Sequence, residues 1–180
     1  TLPGQYGSWL YEAVDAYDAN QDGQLDDVWL AGCARASGAW EHSAPCQAAM
    51  VLRTGDGGDT WQDFVFDASV PKLLAVEMLD ETTGWAVGVG GSLVHTNDGG
   101  VTWSQIAVPA DGILEGLDAY DENLVYAVGE ENVVLVYKPL STQSVSAPPQ
   151  QNTTTDGELG DWTAAGITVI DADTAQTVEG

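Results

Sequence analysis

Thr-x-Asp-Gly-Gly-x-Thr-Trp occurs twice in this chain, as TGDGGDTW from Thr54 to Trp61 and as TNDGGVTW from Thr96 to Trp103. The copies lie 42 residues apart. A single Asp-Gly-Gly turn is an isolated corner, whereas two copies in register mark a structural unit used more than once. The surrounding residues repeat with it. VDAYD (14–18) corresponds to LDAYD (117–121), and VWLAG (28–32), GWAVG (84–88) and VYAVG (125–129) correspond to one another. Each unit has a short apolar run, a polar turn and an aromatic-rich run closed by glycine. In the second unit a third run (92–95), the Asp-Gly-Gly turn and a fourth run (104–108) follow. Short segments rich in Val and aromatics, bounded by turn residues, are strands, and no stretch has the period and caps of a helix. Four short strands in a unit of about 40 residues describe a blade of an all-β propeller.

The repeated turn has an architectural reading. Asp56 and Asp98 accept hydrogen bonds from amides ahead of them in an Asx-type turn, with Thr54 and Thr96 opening each copy. Gly58 and Gly100 supply positive φ. Trp61 and Trp103 fold back to bury apolar surface between neighbouring blades. The motif resembles the Asp-box, the turn between third and fourth strands in propeller blades of sialidases, xyloglucanase-type glycosidases, sortilin-type receptors and photosystem II assembly factors. GWAVGVGGSLVHTNDGGVTW (84–103) is most similar to the last group and its bacterial relatives. The resemblance implies a propeller and speaks weakly about function, because the Asp-box in those families is structural.

Residues 1–137 accordingly hold two blades and most of a third. Residues 138–153 form a Ser/Thr/Pro/Gln-rich insertion or linker. Within 154–180, TTDGELGDW (154–162) resembles the turn with one residue added, so that WTAAGITVI becomes the last strand of the third blade. The rival reading is the start of a further module. A ring needs four blades or more, so other blades, another chain or a second copy would complete it. The opening at Thr1 reads as a processed or excised end.

A second motif lies in DANQDGQLDD (18–27). Asp18, Asn20 and Asp22 alternate, Gly23 follows, Gln24 offers its carbonyl, and Asp26 takes the ninth place of an EF-hand-type loop. Such a set suits calcium in a structural role, against the alternative of a solvated Asn/Asp/Gly turn. The twelfth place, normally Glu, is Trp29, so Asp27 or Asp15 would have to replace it. Cys33 and Cys46 are 13 apart with no CxxC spacing, which favours a disulfide worth ~3 kcal/mol by loop closure over two buried thiols. That pairing points to an oxidising compartment, extracellular, cell-surface or periplasmic.

Charge removes several classes of partner. Twenty-eight Asp and Glu stand against four basic residues, a formal charge of −24. Nucleic acid and anionic membrane surfaces are excluded by so few cations, and no apolar run is long enough to insert into a membrane. Two arginines cannot form the three-arginine site of a sialidase, and His42 and His95 are isolated. The leading reading is a non-catalytic protein-interaction or adhesion scaffold, with a glycan as a further candidate ligand. A fragment of a polysaccharide-acting glycoside hydrolase is the alternative, since 28 acids include many pairs. An assembly factor comes third, because such a protein is expected to meet its client with basic residues.

Overall fold

A computed structural model describes residues 9–18, 23, 25–35, 45–108, 111–138, 167–171 and 177–178. The first sheet is an antiparallel meander of β1 (Leu10–Tyr17), β2 (Asp27–Arg35), β3 (Cys46–Thr54) and β4 (Gln62–Val65). The second repeats it with β5 (Leu73–Met78), β6 (Gly84–Gly88), β7 (Leu93–Thr96) and β8 (Ser104–Ile106). The third begins likewise with β9 (Leu114–Asp121), β10 (Leu124–Gly129) and, after one 3-10 turn, β11 (Val134–Lys138). The three sheets form part of a β-propeller.

The third sheet then departs from the pattern. β12 (Ile167–Asp171) lies beside β11, and β13 (Thr177–Val178) beside β12. β12 runs parallel to β11, whereas a strand reached through an Asp-box turn pairs antiparallel. A parallel neighbour requires a long crossover, and residues 139–166, including TTDGELGDW, lie outside the described residues.

The innermost strands pack in sequence, β1 against β5 and β5 against β9. One core joins the first two sheets, with Trp29, Ala31 and Val51 from one and Val76, Ala86, Val94 and Trp103 from the other. A second joins the next pair, with Trp85, Val87 and Leu93 against Ala119, Val125, Ala127 and Leu135. Alternation along each strand sends neighbouring residues to opposite faces, so the middle sheet buries both. The glycine ending each aromatic run has a steric reason. A Cβ on Gly32, Gly88 or Gly129 would collide with the carbonyl oxygen of Leu10, Lys72 or Ile113. Each glycine sits beside a register shift at the start of the first strand, which brings the chains this close.

Candidate functional site

The two Asp-boxes have the same internal wiring. Thr54 Oγ1 donates to Asp56 Oδ1 at 2.8 Å and accepts from the Gly58 amide at 2.8 Å. Asp56 in turn accepts from the Thr60 amide at 2.8 Å and from Thr60 Oγ1 at 2.5 Å. In the second copy, Thr96 Oγ1 donates to Asp98 at 2.9 Å, and Asp98 accepts from the Thr102 amide at 2.9 Å and from Thr102 Oγ1 at 2.6 Å. The bonds require a carboxylate, and those from Thr60 foremost lower the Asp56 pKa from 3.8 to about 2. Asp98 is lowered for the same reason, its Thr102 bonds being the largest cause. Gly57, Gly58, Gly99 and Gly100 all have positive φ. The indoles differ in setting. Trp103 is buried between the first two sheets, while Trp61 is half-buried on the far face of the first.

A further set of acids belongs to none of these motifs. Asp15 lies opposite Trp29, Glu77 opposite Trp85, and Asp118 opposite Tyr126. Asp15 Oδ2 accepts the Met78 amide of the next sheet at 2.7 Å. Glu77 accepts the Ala119 amide of the sheet after that. Met78 follows Glu77 and Ala119 follows Asp118. The first two innermost strands therefore each hand a carboxylate to the equivalent amide of the next. Burial foremost raises the Glu77 pKa, and the charges of Asp118 and Asp15 add to that, while the Ala119 bond opposes it. The sequence signal for this set is the alignment of VDAYD, VEMLD and LDAYD. The fifth residues of those segments also act alike. Asp18 accepts the Gly23 amide at 2.9 Å, Asp80 the Thr82 amide at 2.7 Å and Asp121 the Asn123 amide at 2.7 Å, each bending the turn after the first strand.

Arg53 adds a second tie across the same seam. It pairs with Asp27 at 2.9 Å, donates to the Gly99 carbonyl of the second Asp-box at 2.9 Å and lies over the Trp29 ring at 5.1 Å. Trp29 Nε1 donates to that same carbonyl at 3.1 Å. Lys72 and Glu12 pair at 2.6 Å between the second and first sheets. Two of the four basic residues thus serve the seam.

Cys33 and Cys46 are disulfide-bonded, with Cα atoms 5.6 Å apart. In the acidic loop, Asp18 and Asp26 are described, and the Asp26 carbonyl accepts the Gly57 amide at 3.0 Å. Asn20, Asp22 and Gln24 lie outside the described residues. Both substitutes for the twelfth calcium ligand are already engaged. Asp27 holds Arg53, and Asp15 holds Met78 and Ala16. Among the described residues no group of three or more His, Cys, Asp or Glu is placed to hold a metal. His95 packs on Trp85 at 4.8 Å between ring centres, and burial foremost lowers its pKa.

This geometry has counterparts among known proteins. The family model described as photosynthesis system II assembly factor YCF48 matches residues 45–138, just over half of the chain. Among solved structures the chain is similar to one titled "YCF48 bound to D1 peptide", with a TM-score of 0.56 and 21% identity. That match covers 76% of this chain and 39% of the other. YCF48 from Cyanidioschyzon merolae follows at a TM-score of 0.51 and 19% identity, over 73% of this chain and 38% of that one. At such identities the likeness shows the fold. This chain spans about two fifths of the length of each. No curated protein matches it.

Proposed function

We propose, from the premise that this chain belongs to the photosynthesis system II assembly factor YCF48 family, that it is a non-catalytic propeller segment whose work is to hold a protein partner. The family match over residues 45–138 carries this reading. It draws support from the relative solved with a D1 peptide. The chemistry of the acids agrees. Asp15, Glu77, Asp56, Asp80 and Asp98 all act as acceptors for backbone amides. Scarce cations count against an assembly role, and family membership outweighs them. With −24 formal charge and Arg53 and Lys72 already paired, the complementary partner segment is neutral or basic. The Cys33–Cys46 disulfide supports an exported location.

The reading is tested by titrating a labelled D1 peptide into the chain at two salt concentrations, following anisotropy. Saturable binding that weakens with salt is expected. No binding up to millimolar peptide would remove the partner reading. Release of reducing sugar from xyloglucan or sialyllactose would restore the hydrolase alternative.

Structural calcium at residues 18–26 is part of the same proposal. The Asp18–Gly23 bond and the positive φ of Gly23 close the first turn of that loop, and the Asp26 carbonyl fastens its end to the first Asp-box. Asp18, Asn20, Asp22, Gln24 and Asp26 would supply oxygen ligands suited to a hard cation. Calorimetric melting with calcium and with chelator reads it out, and identical melting temperatures would rule the ion out.

A further inference from the structure

The first two sheets each carry a row of three side chains across one face. In the first the row is Asp15, Trp29 and Arg53, and in the second it is Glu77, Trp85 and His95. The rows differ in their charge. Arg53 brings a permanent cation over the Trp29 ring. His95 packs on Trp85 instead, and burial foremost lowers its pKa, with Glu122 acting the other way. At neutral pH the second row therefore holds a carboxylate at one end and an uncharged imidazole at the other.

Glu77 stands on the strand that packs against both other innermost strands, β1 and β9. Asp15 reaches in from the first sheet to the Met78 amide at 2.7 Å, one residue from Glu77. On the other side Glu77 takes the Ala119 amide, one residue from Asp118. The charges acting on Glu77 from these strands are Asp118 and Asp15, both negative. The cations of the first seam are engaged elsewhere, Arg53 with Asp27 and Lys72 with Glu12. Trp85, opposite Glu77 on β6, is wholly buried and flanks it with apolar surface. A part-buried carboxyl with like charge on both sides is in the setting that disfavours ionisation. Its pKa is raised accordingly, burial being the largest cause.

We propose that the carboxylates Asp15, Glu77 and Asp118 form a pH-responsive clasp, in which Glu77 takes up a proton as the medium turns mildly acidic and the seam between the second and third sheets tightens. The tie to Ala119 survives the change. A protonated carboxyl keeps a carbonyl oxygen that accepts the amide, while the desolvation penalty and the repulsion from Asp118 and Asp15 disappear. Folding raises the Glu77 pKa above 4.5, so the charged form destabilises the fold at neutral pH, and that loss is recovered as pH falls toward 4.5. His95 works in the opposite sense. Its pKa is lowered from 6.5 on folding, so its contribution to stability is lost as pH falls below 6.5. Asp56 titrates below this window.

Replacing Glu77 alone separates the two, because His95 is common to both chains. Amide exchange at Ala119, measured at pH 7 and pH 4.5 in the full 180-residue wild type and in Glu77→Gln, tests the clasp. Gln stands in for the protonated acid and still accepts the amide. The wild type should be less protected at Ala119 than Glu77→Gln at pH 7 and nearly equal to it at pH 4.5. Carbon-13 NMR of the Glu77 carboxyl in the wild type should give a titration midpoint above 4.5. Asp118→Asn should lower that midpoint, since one of the two like charges is gone. A midpoint at or below 4.5 overturns the proposal, as does a difference at Ala119 that does not change with pH. A midpoint unmoved by Asp118→Asn refutes the part given to Asp118. If Glu77→Gln does not fold, the carboxyl titration decides alone.

Discussion

Replacing Trp29 by alanine should cost far more than replacing Tyr126, although the two occupy the same place in successive units. Trp29 has no exposed surface, donates to the Gly99 carbonyl at 3.1 Å and lies under the Arg53 guanidinium at 5.1 Å. Truncating a buried Trp costs about 3–5 kcal/mol. The lost hydrogen bond contributes about 1 kcal/mol, and the cation–π contact about 0.5–1 kcal/mol. These terms overlap, so about 5 kcal/mol is expected for Trp29→Ala. That is comparable with the whole stability of a marginal domain, roughly 5–15 kcal/mol. Tyr126 is 40% exposed, and its truncation should cost about 1 kcal/mol. Guanidinium denaturation followed by far-ultraviolet circular dichroism measures both. If Tyr126→Ala lowers the midpoint as far as Trp29→Ala, the two positions are not one buried and one open member of a repeated seam, and the reasoning fails.

Three other outcomes are expected. Gly88→Ala forces a methyl group into the Lys72 carbonyl and should destabilise by about 1–3 kcal/mol, while Gly112→Ala, with open space around it, should leave the melting temperature nearly unchanged. Asp56 has its pKa lowered from 3.8 to about 2, so its contribution to stability is present above pH 3.8 and is lost as pH falls toward 2. Urea midpoints measured across that window should fall less steeply in Asp56→Asn, and equal slopes would count against the turn's carboxylate chemistry. Replacing Cys33 and Cys46 together by serine opens a loop of sequence separation 13 and should cost ~3 kcal/mol; an unchanged melting temperature would show that the bond does not constrain the unfolded chain.

Much of the architecture is written in short-range pattern. GWAVG coincides with β6, and the run 73–78 with β5, because apolar runs flanked by turn residues carry their own boundaries. The wiring of the Asp-box is legible because Thr, Asp and Gly act within a few residues of each other. The seam is harder to read. Asp15 and Met78 are 63 residues apart, and Trp29 and Gly99 are 70 apart. Which carboxylate meets which amide depends on how two sheets are set against each other, and composition offers no sign of that. Arg53 carries no signal as a lone arginine, though its position beside Thr54 and across from Trp29 places it over the next Asp-box. The parallel pairing of β12 lies beyond periodicity altogether, because a strand's pattern does not reveal its direction.

Amide hydrogen exchange at Met78 and Ala119 reaches the central claim most directly, since both amides lie on innermost strands and are held by a carboxylate of the preceding sheet. In the wild type both should exchange slowly. In Asp15→Ala, Met78 alone should lose protection, and in Glu77→Ala, Ala119 alone. Fast exchange at both sites in the wild type, or protection unaffected by either substitution, would mean that the sheets are not joined by acids passed from one innermost strand to the next.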